Sequence, residues 1–161
     1  MFEEPPVNRD ASYGDTLGVD RSPIRPAPFT APYWEAAREH RLVIQFCPGA
    51  QRYQYFPMPM SQYTGRRNLE WREVPATGQL FSYTVTHRGP GPFGGHEPYV
   101  VASVELDVGV RMVGILVGAA PERIEIGMPV VGCWSDLPDG NSLLMFTPHT
   151  TDLTASPDAR A

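Results

Sequence analysis

The chain has 161 residues, enough for one compact domain with appended segments and a core that removes roughly two-thirds of the unfolded surface from water. Hydrophobic residues make up 42%, and 18 prolines with 15 glycines break them into short runs, which favours β-structure over extended helical architecture. The net charge is -5, all 13 basic residues are arginine and only Arg66 and Arg67 adjoin, so the positive stripe that draws nucleic-acid phosphates is missing.

Residues 1–28 are rich in Pro, Asp, Arg and Ser and cannot offset the entropy of ordering by themselves; they read as a flexible arm able to wrap a partner. The opening MFEEPPVNRD is acidic and proline-bearing, unlike a signal peptide. No run approaches the roughly 20 apolar residues that span a bilayer, so a cytoplasmic protein is expected. A helix starts at Thr30, whose hydroxyl is placed to cap free amides, with Pro32 in its first turn. Within PYWEAAREH, Tyr33, Trp34 and Ala37 recur at helical spacing and form a core-docking face, with a partner-facing Trp34 as the alternative.

The β-branched run Leu42 to Phe46 predicts a strand that leads into Cys47-Pro48-Gly49-Ala50, and a second aromatic run, Tyr53 to Phe56, precedes PMPM. Two strands around a tight knuckle make a hairpin, and residues 29–67 read as a small satellite module. From Leu69 onward, strand signals arrive as LEWREV, LFSYTVTH, YVVASVEL, VRMVGILVG, PVVGCWSDL and LLMFT. In the second of these, alternation puts Phe81, Tyr83, Val85 and His87 on one face and Leu80, Ser82, Thr84 and Thr86 on the other. Asp107-Val108-Gly109 reads as a hairpin turn, HRGPGPFGGHEP as a long loop and Pro121 to Gly127 as one helical turn. A mainly β fold follows: a five- to six-stranded antiparallel barrel of OB type over residues 68–148, with a tail at 149–161.

Catalytic signals are sparse. The cysteines, Cys47 and Cys133, read as reduced, buried side chains outside any nucleophile setting. His96-Glu97 is a close histidine–acid pair, and neighbours on a strand entry point in opposite directions. A free-standing acyl-thioester enzyme using His87 or His96, and a single-stranded nucleic-acid module using the strand aromatics for stacking, stand as competing readings; the charge balance opposes the second.

The helix and strand PYWEAAREHRLVIQFC, the FPMP remnant, GQLFSYTVTHR, EPYVVASVELD, VRMVGILVG and the closing IGMPV, in that order, carry a resemblance to the DUF35 family. These are acyl-CoA-associated OB-fold proteins with an N-terminal rubredoxin-like zinc ribbon. The resemblance implies a non-catalytic accessory subunit of thiolase-like, lipid-transfer-type aldolase or hydratase-like enzymes, in a hetero-oligomer, with a coenzyme A thioester as ligand. The family's ribbon has the form C-x2-C, about nine residues, then C-x2-C, which suits a four-thiolate zinc. Its positions map here to Cys47, Ala50, Met60 and Tyr63, so one ligand survives and no zinc is expected.

Without the metal, Tyr53, Tyr55, Phe56, Met58, Met60 and Tyr63 are expected to hold the hairpin by packing. Trp34, Tyr53, Tyr55, Phe56, Met60 and Tyr63 are also the candidate partner interface. A pantetheine arm fits an aromatic-lined groove beside a loop whose glycines admit close backbone approach. That assigns Tyr83, His87, Arg88, Phe93, Gly94, Gly95 and Arg111 as the candidate acyl-CoA residues, with Arg88 and Arg111 for the phosphates; no residue is assigned a catalytic role.

Overall fold

The computed structural model describes residues 22–149. A 3-10 turn at Pro28–Thr30 feeds helix α1 (Ala31–Arg38). Pro32 occupies the first turn as expected, but the Thr30 hydroxyl makes no cap to the helix amides; it donates back to the Ala27 carbonyl at 2.8 Å. Ala36 and Ala37 are buried and Tyr33 packs against the core, while Trp34 sits half-buried edge-on to Tyr33 with ring centroids 5.2 Å apart.

Strands β1 (Val43–Cys47), β2 (Arg52–Gln54) and β3 (Glu70–Glu73) form a three-stranded antiparallel sheet with β1 in the centre. All five residues of β1 are buried, which explains its unbroken apolar character, interrupted only by Gln45. The strand expected at LEWREV is β3, and it pairs with β1 and with no barrel strand.

The barrel comprises β4 (Thr77–Thr86), β5 (Tyr99–Leu106), β6 (Arg111–Leu116), β7 (Pro129–Asp136) and β8 (Ser142–Pro148), closed in the order β4-β5-β6-β8-β7. Five strands thus close, within the expected range of five to six, and the architecture is mainly β with an N-terminal helix, as the sequence predicts. Closure between β6 and β8 is parallel and rests on one registered pair, Leu116 with Phe146. Gly78 lies where β4 crosses the end of β5: a Cβ there would fall 2.2 Å from the Glu105 carbonyl oxygen, so only glycine allows the approach.

A β-bulge between Leu80 and Ser82 changes the face assignment within β4. Before it, Leu80 pairs with Val104 and points inward; after it, Tyr83 pairs with Ala102 and Val85 with Val100, both core residues. Phe81 is the extra residue, 44% exposed with the Arg111 guanidinium 3.5 Å from its ring centre. The alternation that groups Phe81 with Tyr83 and Val85 therefore fails, because a bulge inserts one residue into a period of two.

One core joins both parts. Leu42, Ile44 and Val74 of the three-stranded layer pack with Leu80, Val104, Leu106, Met112, Val130 and Phe146 of the barrel. A polar clamp reinforces the junction: His40 Nε2 lies 2.8 Å from Asp136 Oδ1, which also accepts the Ser142 hydroxyl at 2.6 Å. Arg38 donates to the Asn141 side-chain oxygen at 3.1 Å, tying the helix end to the β7–β8 turn. No helix among the described residues is long and apolar enough to cross a membrane.

Candidate functional site

Of the aromatic and thioether packing expected in the hairpin, only Tyr53 and Tyr55 take part. Phe56 is 66% exposed, Met58 49%, Met60 42% and Tyr63 36%, so these side chains face outward. Tyr53 and Tyr55 do contribute, half-buried against the core, with Tyr53 edge-on to Phe46 at 5.0 Å and Tyr55 stacked on Phe56 at 4.4 Å. The loop from Met58 to Gln62 is held by buried polar side chains instead. Gln45 and Gln54, 4% and 1% exposed, bond to one another at 3.1 Å. Gln45 also donates to the Met58 carbonyl at 2.9 Å and accepts the Met58 N–H at 2.8 Å. Gln54 donates to the Met60 carbonyl at 3.3 Å and accepts the Gln62 N–H at 3.0 Å. Two side-chain amides thereby satisfy the backbone of a proline-interrupted loop that has no strand to pair with.

At the knuckle, the Ser61 hydroxyl donates to Cys47 Sγ at 3.0 Å and Thr64 Oγ1 lies 3.9 Å from the same sulfur. Ser61 Oγ in turn accepts the N–H groups of Tyr63 and Thr64 at 3.1 and 3.2 Å. The Ser61 hydroxyl holds the Cys47 thiol below its ordinary range, with the Ala50 and Gly49 N–H groups acting in the same sense and burial opposing them. The positions that converge are thus 47, 50, 61 and 64. Met60 and Tyr63, the positions expected from spacing, are corrected by one residue each, because Gln54 fixes the Met60 carbonyl and the next side chain is the one turned inward.

The donor set at these four positions is one thiol, a methyl and two hydroxyls, which does not fit a structural zinc. Among the described residues, no group of three His, Cys, Asp or Glu could hold a metal ion. Hydrogen bonds do locally what metal–thiolate bonds would do. The triple substitution Ala50→Cys, Ser61→Cys and Thr64→Cys is accordingly expected to take up about one zinc per chain. Elemental analysis of that variant beside the parent, which is expected to hold none, checks the assignment of the four positions.

The second surface is the end of the barrel carrying the loop from His87 to Pro98. Glu97 organises it: its carboxylate accepts the Gly89 N–H and, at 2.7 Å, the Gly95 N–H. Gly89 approaches the Phe93 backbone so closely that a Cβ would sit 2.6 Å from the Phe93 carbonyl oxygen. Phe93 lies beside Tyr99, centroids 6.1 Å apart, on a 3-10 turn, and Gly94, Gly95, His87 and Arg88 are exposed around it. Arg88 has no ion-pair partner among the described residues. Tyr83, on the strand feeding this loop, donates its hydroxyl to the Ile124 carbonyl at 3.3 Å.

Arg111 is elsewhere. It pairs with Glu105 at 2.9 Å and covers Phe81, and Glu105 stands at the opposite end of β5 from Tyr99, about 20 Å away at strand rise. His87, Arg88, Phe93, Gly94 and Gly95 are therefore brought together at one rim, and Arg111 is not. Glu97, Gln45, Gln54 and Ser61 are structural residues that sequence reasoning missed; a lone glutamine inside the apolar run VIQFC is the one signal that marks a buried polar partner.

The Gly89 N–H, foremost, and the Gly95 N–H hold the Glu97 carboxyl below the usual carboxylate range. A depressed pKa stabilises the loop above the unfolded pKa, and this contribution disappears as pH falls through the folded one. Protection of the Gly89 and Gly95 amides, taken relative to the intrinsic exchange rate at each pH, is expected to be high at pH 7 and to fall in acid. Glu97→Ala is expected to show the low protection already at pH 7.

Comparison with known proteins decides the relationship. Residues 71–135 match the model of the ChsH2 C-terminal OB-fold domain. A DUF35 domain-containing scaffold protein of Pyrococcus furiosus is 31% identical over 100 residues, covering 61% of this chain and 72% of the relative. The chain belongs to the DUF35 family. A solved structure described as an Ltp2-ChsH2(DUF35) aldolase contains a chain 43% identical to this DUF35 protein, with TM-score 0.69 over 77% of it and 98% of that chain. A probable enoyl-CoA hydratase alpha subunit of Thermomonospora curvata is 42% identical over 78% of this DUF35 chain and 40% of its own length. The 3-oxo-4,17-pregnadiene-20-carboxyl-CoA hydratase alpha subunit of Mycobacterium tuberculosis is 36% identical over 83% of this chain and 43% of its own length. The DUF35 chain thus spans about two-fifths of those hydratase subunits.

Proposed function

We propose that this chain is a non-catalytic accessory subunit that docks on an acyl-CoA enzyme of the thiolase-like aldolase or hydratase type. The observation that carries this reading is the 43% identity, over 98% of its length, to the DUF35 chain of the Ltp2-ChsH2 aldolase. The relationship to two subunits of acyl-CoA hydratases points to the same ligand class. The residues agree with an accessory role: Cys47 is buried beneath Ser61, Cys133 is buried with its thiol pushed up to about 11 by desolvation, and the Glu97 carboxylate is engaged by backbone. None is poised as nucleophile or base.

In this reading the barrel rim of His87, Arg88, Phe93, Gly94 and Gly95, with Tyr83 behind it, forms one wall of the acyl-CoA path. The Phe93 ring and the exposed Gly94 and Gly95, which admit close approach, suit a pantetheine arm, and Arg88, with no ion pair among the described residues, suits a coenzyme phosphate. Arg111 would serve only a distant part of the ligand. The partner supplies the chemistry, and this chain acts by positioning. Coexpression with a thiolase-like aldolase subunit tests the reading: a stable complex whose activity falls when this chain is withheld supports it, and recovery of an inert monomer with a fully active partner refutes it.

A further inference from the structure

The hairpin module has a surface chemistry unlike the rest of the molecule. From His40 to Leu69 the sequence contains no Asp or Glu, although the whole chain has a net charge of -5. Arg41, Arg72 and Arg111 are each paired with a carboxylate, whereas Arg52, Arg66 and Arg67 are exposed and have no ion pair among the described residues. Arg52 lies over the Tyr63 ring at 4.8 Å, and Arg66 is anchored at the knuckle by its carbonyl, which accepts the Ser61 N–H at 2.8 Å. The exposed apolar side chains Phe56, Met58, Met60 and Tyr63 belong to the same short segment.

Scattered exposed apolar residues require no explanation, but four within eight positions, bordered by unpaired arginines, form the composition of a protein interface. Aromatic, methionine and arginine side chains are the types enriched there. The backbone beneath them is held rigidly by Gln45, Gln54 and Ser61, so the surface is preorganised. We propose that this face docks a folded partner subunit presenting an apolar centre bordered by carboxylates. The proposal rests on the accessory-subunit reading and specifies the chemistry of its contact. Charge complementarity selects the occupant: in a symmetric pairing of two copies the same arginines would confront each other with no acid in the patch to neutralise them.

The test measures binding of the full chain to Ltp2 aldolase, and of the variant Arg52→Glu, Arg66→Glu, Arg67→Glu, at low and high salt. The substituted side chains are exposed, and circular dichroism verifies the fold of the variant. The parent is expected to bind about tenfold more weakly at high salt, and the variant about 100-fold more weakly than the parent at low salt. Equal binding by parent and variant, insensitive to salt, overturns this surface and leaves the subunit reading standing. No binding by the parent overturns both. Self-association of the chain alone that the variant abolishes assigns the face to a second copy and also overturns the proposal.

Discussion

Gln54→Ala is expected to destabilise the hairpin module by about 3 kcal/mol or more, a large fraction of the margin by which a small domain stays folded. Gln54 is 1% exposed and bonds the Gln45 side chain, the Met60 carbonyl and the Gln62 N–H. Its truncation takes a partner from the buried Gln45 amide and from two part-buried backbone groups, the Met60 carbonyl and the Gln62 N–H, and each group left unsatisfied costs about 1–3 kcal/mol. The shift in denaturant midpoint measures the total. Amide exchange locates it: protection across Val43–Cys47 should fall further than protection in the barrel strands. A loss below 1 kcal/mol would mean that the outward-facing side chains, and not the glutamine pair, organise the module.

Phe146→Ala is expected to cost about 3–5 kcal/mol, as truncation of a fully enclosed aromatic ring does. Phe146 is 0% exposed and stands at the closure of the barrel, registered with Leu116 on β6 and Gly132 on β7. Its carbonyl accepts the Val117 N–H at 2.8 Å. Its ring fills the space that Gly114 leaves, where a Cβ would lie 3.1 Å from two ring carbons. Because β6 and β8 share one registered pair, the cavity opens at the weakest seam, and exchange at Arg111–Leu116 and Ser142–Pro148 should rise before that of the β4–β5 ladder. A substitution at exposed Thr84 serves as the contrast, expected to change stability by less than about 0.5 kcal/mol.

The parts of the fold legible in the sequence are those set by local periodicity and turn chemistry. Asp107-Val108-Gly109 forms a hairpin turn with Gly109 at φ 80°, a conformation that favours glycine. Strands β5 to β8 fall on the apolar runs that announce them. The parts that were not legible depend on partners distant in the chain. The bulge at Phe81 has no local marker, since the pairing of β4 with β5 creates it. The strand LEWREV has the same composition whether it joins the barrel or β1. The Thr30 hydroxyl had two backbone targets, and the bend at Ala27 took it.

The hairpin shows the same limit most clearly. Counting from the family's cysteine spacing put the third and fourth positions on Met60 and Tyr63, yet the side chains beside Cys47 belong to Ser61 and Thr64. A one-residue offset in a loop is invisible to spacing but decisive for which side chain enters the interior. Of the candidate ligand residues, those on the glycine-rich loop share a rim because the loop is local. Arg111 does not join them because strand register, which the residues at 105 and 111 set together, places it at the far end of the sheet.

Native mass spectrometry of this chain coexpressed with Ltp2 aldolase tests the central claim most directly, because one spectrum reports both partner and metal content. A hetero-oligomer whose mass is accounted for by whole copies of both polypeptides, with no zinc carried by this chain, is the predicted result. A spectrum of the uncomplexed chain, or of a chain carrying stoichiometric zinc, would contradict the account of a docking module held together by Gln45, Gln54 and Ser61.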